Sequence, residues 1–360
     1  MIAINLKHTL NRPNRSDLHI NVCANFCENK TITGIFGDSG TGKSRLLKCI
    51  AGLYSSNTFT LNIDGHEAQA RPAHNNPCVY VGSEAVLFEH LSVVKNLKLI
   101  VNKTSYGQAP LLSLRDAVKC AGIEHLLQQF PSSLSSGEKQ RVQFARALLS
   151  NKPVVLLDEA FSALDWNARM GMINTVKQLN STTSLQFIIV SHSLKELSYC
   201  CQNIIKLHQG EIEYSASIDK MLSYLSQASH SSSMFSSFKL TFVDEDSSDH
   251  ISKWYLHGEH QVNAQCVYVS ASTATGMQRS GLANLSIDAN QVSLSRFNNS
   301  QTSMLNSLTG VVSEVLCHEN DAIVTLKVDT QVLRASISLR SLHALDIHLG
   351  QKLYALFKAL

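Results

Sequence analysis

The chain has no long hydrophobic run. Its longest apolar stretches, Val154-Val155-Leu156-Leu157 and Phe187-Ile188-Ile189-Val190, are strand-sized, far short of the about 20 residues a membrane-spanning helix needs. The opening residues also lack the basic-then-apolar pattern of a secretory leader. The expectation is a chain that neither crosses a bilayer nor leaves the cytosol by the usual route. There is no dense Lys/Arg cluster or basic arm, and 31 Lys and Arg against 28 Asp and Glu leave a net charge of only +3, which argues against nucleic acid as a partner. Nine cysteines include no Cys-x-x-Cys pair, and an odd number without a secretory signal points to reduced, mostly buried thiols. Cys200 and Cys201 read as helix thiols rather than metal ligands. The fifteen histidines, His8, His66 and His74 among them, show no ligand spacing.

What is present is more specific. At 360 residues and 44% hydrophobic content the chain has room for two domains with full cores. Residues 37–44 read Gly-Asp-Ser-Gly-Thr-Gly-Lys-Ser, a Gly-x-x-x-x-Gly-Lys-Ser phosphate loop. Thr31 to Phe36 before it has a strand pattern, and Arg45 to Ile50 after it starts a helix. Glycine lets the backbone turn its N–H groups onto phosphate oxygens at the positive end of a helix dipole. Gly37, Asp38, Ser39, Gly40, Thr41, Gly42, Lys43, Ser44 and Arg45 are therefore the expected nucleotide cradle. Lys43 is expected to reach the β- and γ-phosphates, and the Ser44 hydroxyl to ligate Mg²⁺.

Alternation at Ile2, Ile4, Leu6 and at Leu18, Ile20, Val22 predicts antiparallel strands ahead of the loop. Leu61-Asn62-Ile63 predicts a strand ending in an Asp64-Gly65 turn. A helical pattern runs from Val86 to Phe130, through Leu97, Ile100, Val101, Leu114, Val118, Ala121 and Ile123. From Ser136 to Gly210 helix and strand alternate, which predicts a parallel sheet with crossover helices. Ser226 to Ser237, with Ser231-Ser232-Ser233, reads as an exposed boundary. From Phe238 onward short alternating strands predict a second, all-β domain, a small barrel.

Two further segments carry chemistry. Val154 to Glu159 reads as a buried parallel strand ending in two carboxylates, where an open α/β sheet places its ligand site. Asp158 is placed to hold Mg²⁺, and Glu159 to orient and deprotonate a water in line with the γ-phosphate. About twenty residues earlier stands Leu134-Ser135-Ser136-Gly137-Glu138, followed by an amphipathic run from Lys139 to Leu148. There Ser135 is a helix N-cap, and Gly137 lets backbone approach an anion.

This last segment resembles the signature motif of ATP-binding cassette proteins, usually Leu-Ser-Gly-Gly-Gln. The resemblance continues in order through Asp165 in Ser162-Ala163-Leu164-Asp165, like the family's D-loop, and His192 in Val190-Ser191-His192, like its switch histidine at the γ-phosphate. It implies an α/β phosphate-loop NTPase cassette with a parallel sheet core and antiparallel β and helical subdomains, spanning 1–228, with the helical subdomain at about 86–135. Residues 229–295 are then linker and the first strands of a C-terminal β region, and 296–360 an OB-like all-β barrel. The resemblance also implies ATP and Mg²⁺ as cofactors, Glu159 and His192 as catalytic residues, and a head-to-tail homodimer in which the phosphate loop of one copy faces Ser135 and Gly137 of the other. Departures from the pattern are Ser83 in the place of the Q-loop glutamine, Ser136 for the first signature glycine, Ala160 for proline, and no adenine-stacking aromatic between Leu10 and Leu18. Leu10 or Pro13 is the apolar platform left for the base.

The tail resembles the small TOBE or Mop-type domain shared by molybdate-binding modules and importer ATPases, at Thr302 to Asn306, Gly310 to Val312, Ser338 to Arg340 and Gly350 to Ala355. Glu84 to Val93 and Leu134 to Val142 look most like the ATP-binding subunits of molybdate importers, in which glutamate closes the signature. That likeness implies a translocase ATPase for molybdate or tungstate at the cytoplasmic face of the cell membrane, with two integral-membrane permease subunits and a periplasmic or extracellular molybdate-binding protein as partners. Ser303 and Asn306 are the candidate oxyanion residues of the tail, against the plainer reading that Thr302 to Asn306 cap and pair barrel strands. Alternatives are the same role for sulfate, ferric or polyamine uptake, or a slow-turnover ATP-sensing cassette.

Overall fold

A computed structural model of the chain describes residues 2–10, 18–26, 31–54, 58–63, 66–69, 75–101, 111–227, 234–246, 249–257, 265–270, 273, 282–298 and 302–359. They fall into two compact units, Met1–Ala216 and Ser217–Leu360.

The first unit is built on one ten-stranded sheet. Its strands are β1 (Ile2–Leu10), β2 (Leu18–Phe26), β3 (Thr33–Phe36), β4 (Thr58–Ile63), β5 (His66–Gln69), β6 (Cys78–Val81), β7 (Val154–Asp158), β8 (Gln186–Val190), β9 (Asn203–His208) and β10 (Glu211–Ala216). They lie in the order β5-β4-β1-β2-β10-β9-β3-β8-β7-β6. β1 pairs antiparallel with β2 and with β4, as the alternation predicts. β6, β7, β8, β3 and β9 run parallel. β7 and β8 are buried at every position, which is why their sequences are unbroken apolar runs rather than alternating ones. Register then does the positioning. Ile35 sits opposite Val190, and Val190 opposite Asp158, so the chain leaves β3, β7 and β8 along one edge.

The crossover helices are α1 (Lys43–Ile50), α2 (Val93–Val101), α3 (Leu114–Ala121), α4 (Ser136–Leu148), α5 (Trp166–Thr182) and α6 (Leu194–Cys200). Of the helical pattern between Val86 and Phe130, α2 and α3 supply the helices at Val93–Val101 and Leu114–Ala121, and residues 102–110 lie outside the described residues. The two helices bury Leu97, Val118 and Ala121, while Val101 stays exposed. Asn96, wholly buried, ties the preceding loop to α2 by donating to the carbonyls of Phe88, Leu91 and Ser92.

The second unit opens with α7 (Ile218–Gln227) and continues as two antiparallel sheets. One holds β11 (Phe235–Asp246), β12 (Ile251–Leu256), β13 (Cys266–Ser270) and β14 (Leu282–Asp288), ordered β13-β12-β11-β14. The other holds β15 (Ser293–Ser295), β16 (Asn306–Cys317), β17 (Asp321–Val328), β18 (Gln331–Ser338) and β19 (Lys352–Phe357), ordered β15-β19-β16-β17-β18, with the short α8 (Leu339–Ala344) beside it. Both sheets bury one shared core, with Phe238, Trp254, Val267 and Leu285 from the first and Val324, Leu333 and Phe357 from the second. The tail is all-β, as expected of a small barrel domain, its two antiparallel sheets forming half-barrels. Residues 234–288 add a complete sheet to it. Inside it, the buried Arg334 on β18 donates to Ser223 Oγ at 3.0 Å on α7.

The reading of Ser226 to Ser237 as exposed needs correction at its end. Met234, Phe235 and Ser236 are buried, because β11 begins at Phe235 and pairs with Asp288, and Ser236 Oγ accepts the Arg334 N–H at 2.7 Å. The serine run at 231–233 and the Asp64-Gly65 turn lie outside the described residues. Among the described cysteines, Cys49, Cys78, Cys200 and Cys201 are buried, whereas Cys23 and Cys317 are exposed. Burial pushes the Cys49 thiol up to about 11, away from reactive thiolate.

Candidate functional site

The sheet edge where β3, β7 and β8 end gathers the phosphate loop, the two carboxylates and the histidine. Gly37 must be glycine, since a Cβ there would lie 2.4 Å from the backbone oxygen of Leu207 on β9. Gly42, with φ +102, is the N-cap of α1 and carries no capping side chain, which leaves the first N–H groups of α1 turned toward the loop. Lys43 is buried and arches back across the loop, donating to the carbonyls of Gly37 and Asp38 at 2.7 Å each. Burial lowers its pKa from the ordinary ammonium value, and the nearby charges of Glu159, Asp158 and Asp38 oppose that shift. Asp38, Ser39 and Gly40 are exposed at the loop tip, and Thr41 Oγ1 closes the turn on Asp38 O at 2.9 Å. Arg45 points the other way, donating to His8 Nε2 at 3.0 Å with its guanidinium 3.5 Å from the Tyr54 ring centroid. The base platform expected at Leu10 or Pro13 lies outside the described side chains.

Ser44 Oγ donates to Asp158 Oδ1 at 3.0 Å. A hydroxyl and a carboxylate, both hard oxygen donors, so placed beside the phosphate cradle fit a magnesium ion that also takes phosphate oxygens. Asp158 is almost fully buried, and its other oxygen is taken by the Tyr80 hydroxyl at 2.7 Å. Burial first, then that bond, pushes the Tyr80 phenol well above its ordinary value, so it stays a donor. The next residue, Glu159, adopts φ +50, a left-handed conformation rare outside glycine, and its N–H bonds Val190 O at 3.1 Å. Such backbone costs about 1–3 kcal/mol and persists where surrounding structure holds it, often at working sites. The turn aims the Glu159 side chain at His192, with Oε1 to Nδ1 at 3.5 Å and both side chains open to solvent. The structure thus brings Lys43, Ser44, Asp158, Glu159 and His192 together.

Ser135 and Gly137 lie at the tip of α4. Ser135 and Glu138 form a reciprocal capping box: Ser135 Oγ accepts the Glu138 N–H, and the Glu138 carboxylate accepts the Ser135 N–H at 2.8 Å. The Ser135 N–H bond foremost, then the Ser135 hydroxyl donating to the same carboxylate at 2.8 Å, lower the Glu138 pKa, a physical role for glutamate at the close of the signature. Gly137 is needed for packing as well as for anion approach, because a Cβ would meet Leu164 Cδ2 at 2.7 Å. Asp165 N-caps α5 by accepting the Ala168 N–H at 2.9 Å. Ser83 is exposed. Its carbonyl accepts from Gln140 Nε2 at 2.7 Å.

Three residues at this site went unnoticed in the sequence. Tyr80 is one. Gln140, buried on α4, donates from Nε2 to Ser83 O and to Ser162 Oγ at 3.3 Å, and accepts the Ala163 N–H at 3.1 Å. It pins the loop after β6 to the segment leading to Asp165. Arg169 clasps that same segment through the carbonyls of Phe161, Ser162 and Leu164 at 3.1, 2.8 and 3.0 Å. The one available signal was spacing: Arg169 stands one helical turn after Asp165, and Gln140 lies inside the signature helix.

In the second unit the candidate oxyanion pair separates. Ser303 is exposed on a bend, whereas Asn306 is fully buried. The Asn306 amide accepts the Tyr268 N–H at 2.6 Å and donates to Tyr268 O at 3.0 Å and Lys358 O at 2.9 Å. That amide is spent on joining β13, β16 and the end of β19, so Asn306 is corrected from oxyanion ligand to strut.

The parallel sheet edge, the glycine cradle at an uncapped helix and the paired carboxylates define a phosphate-loop nucleotide-binding unit. Comparison with known proteins takes this further. Residues 24–162 match the ABC transporter family and residues 302–359 the TOBE domain. The molybdenum import ATP-binding protein ModC of Saccharophagus degradans is 30% identical over 335 residues, 91% of this chain and 90% of that protein. The protein of the same name from Haemophilus ducreyi is 30% identical over 366 residues, covering 100% and 99%. A dimeric ATP-binding cassette in a post-hydrolysis state, bound to ADP and Pi, superposes with a TM-score of 0.53 at 25% identity, over 61% of this chain and 99% of that one. The chain belongs to the molybdenum import ATP-binding proteins of the ABC transporter family.

Proposed function

We propose that this chain is the ATP-binding, ATP-hydrolysing subunit of an importer that drives uptake of molybdate, and by the same oxyanion chemistry tungstate, through partner membrane subunits. The single observation that carries the hydrolytic part is the register of β3, β8 and β7, which sets the phosphate loop, Glu159 and His192 on one edge. The likeness to molybdenum import proteins over nearly the whole chain supports the cargo and disfavours sulfate, ferric or polyamine uptake.

In this reading Lys43 turns from the loop carbonyls to the β- and γ-phosphates of ATP. Ser44 and Asp158 would hold a magnesium ion, which supplies charge neutralisation of the phosphate oxygens. Glu159 accepts a proton from the attacking water as its oxygen bonds the γ-phosphorus and the bond to the β–γ bridging oxygen breaks, leaving ADP. His192, within reach of Glu159, steadies the γ-phosphate. Each copy presents one cradle and one Ser135-capped helix tip, so a complete site needs two copies head to tail. The dimeric state of the ADP-bound cassette it resembles supports that arrangement. The helical subdomain would receive the permease subunits, placing the chain at the cytoplasmic face of the membrane. No helix among the described residues is long and apolar enough to cross a membrane itself.

The test is Glu159→Gln. Hydrolysis is expected to fall by about 10²–10⁴-fold, the worth of a positioned general base. The variant should become dimeric with ATP, read by light scattering. Undiminished ATPase activity, or a strictly monomeric ATP-loaded variant, would overturn the reading.

A further inference from the structure

The loop that follows β6 carries Gly82 and Ser83, the second in the place of the family's Q-loop glutamine, and the structure shows what the first permits. The Tyr80 side chain folds over the backbone of Gly82. A Cβ on residue 82 would meet Tyr80 Cε1 at 3.0 Å, the hydroxyl oxygen at 3.1 Å and Cζ at 3.3 Å, so any side chain there presses on the tip of the ring. In that position the hydroxyl donates to Asp158 Oδ2 at 2.7 Å while Ser44 takes Oδ1 at 3.0 Å. The carboxylate is held at both oxygens, and its freedom to rotate is gone. Lys48 Nζ lies over the ring, 5.6 Å from its centroid.

We propose that Tyr80 is the positioning residue for the metal-holding Asp158, with Gly82 as the space it requires. The Ser83 side chain is exposed, and its carbonyl is anchored to Gln140. The orienting role on this side of the site therefore falls to the phenol three residues earlier. Outer hydrogen bonds of this kind fix the orientation of a ligating carboxylate, and losing one typically weakens metal affinity about 10- to 100-fold. The Tyr80 hydroxyl is spent on Asp158 Oδ2, so its effect is to be read through the divalent ion that Asp158 would hold.

The inference rests on the ATP and Mg²⁺ site proposed above, and the experiment separates the two. Binding of a fluorescent ATP analogue to the full chain carrying Glu159→Gln is titrated with and without Mg²⁺, in parallel with Tyr80→Phe and Gly82→Ala versions. Tyr80→Phe should lower the Mg²⁺-dependent gain in affinity about tenfold, leaving Mg²⁺-free binding within about twofold. Gly82→Ala should shift it in the same direction by a smaller factor and add nothing to Tyr80→Phe. A Tyr80→Phe gain within twofold of the parent, or effects of the two substitutions that multiply, would overturn the Tyr80 assignment. A parent chain whose ATP affinity ignores Mg²⁺ would overturn the underlying site as well.

Discussion

Gln140→Leu separates mechanical coupling from nucleotide contact. The substitution keeps side-chain volume and helix propensity but removes three hydrogen bonds: a strong one to Ser83 O at 2.7 Å, a weak one to Ser162 Oγ at 3.3 Å and one from the Ala163 N–H at 3.1 Å. A net hydrogen bond contributes about 0.5–1.5 kcal/mol. Because Ser83, Ser162 and Ala163 are themselves exposed, water can satisfy them once Gln140 is gone. The total cost is therefore about 1–2 kcal/mol rather than the sum of three buried losses, within reach of urea denaturation. The functional consequence is larger than the stability loss suggests. The segment Ser162 to Asp165 and the loop after β6 would lose their common anchor, while no group at the phosphate loop changes. Steady-state ATPase should show kcat reduced about tenfold, equal to about 1.4 kcal/mol of barrier, with KM for ATP unchanged within twofold. Gln140→Glu keeps the acceptor for Ala163 N–H but sets a buried carboxylate against the Ser83 carbonyl, and should lower kcat at least as far as Gln140→Leu. A folded Gln140→Leu protein with parental kcat, or a loss appearing wholly in KM, would refute the pin.

Two more outcomes follow from the packing. Gly137→Ala should lower ATPase activity several-fold, because its new methyl strikes Leu164 Cδ2. Adding Leu164→Ala should recover part of it, since the obstacle is the end of a flexible side chain. Asn306→Leu leaves the Tyr268 N–H and the carbonyls of Tyr268 and Lys358 without their partner. It should destabilise the second unit by about 2–4 kcal/mol, read as a lower Tm, whereas Ser303→Ala, on an exposed bend, should leave Tm within a degree.

The two candidate sites differ in how legible they were, and the difference has a cause. The phosphate loop, Asp158, Glu159 and His192 could be named because each follows directly from a short local pattern: a glycine run between strand and helix, or a carboxylate or imidazole just past an apolar strand. Parallel-sheet topology then brings strand ends to one edge without further specification. Thr302 to Asn306 offered no such rule, and the polar residues there are equally suited to a ligand and to a barrel seam. Only the pairing of β13 with the β16–β19 region showed which of these Asn306 serves. The serine-rich stretch misled at Met234 to Ser236 because composition marks a boundary to within a few residues, while strand pairing fixes where it ends.

The sequence by itself determined the order of elements and where along them the glycine-rich loop, the Asp158–Glu159 pair and His192 stand, since those depend on neighbours in the chain and on helix and strand periodicity. The tertiary structure alone decided how the cradle is braced. Tyr80 reaches Asp158 across 78 positions, and Gln140 reaches Ser83 across 57. A hydrogen bond between side chains so far apart leaves no periodic trace, because it depends on the register of β6 against β7 and on the rotation of α4, which are fixed only when the core closes.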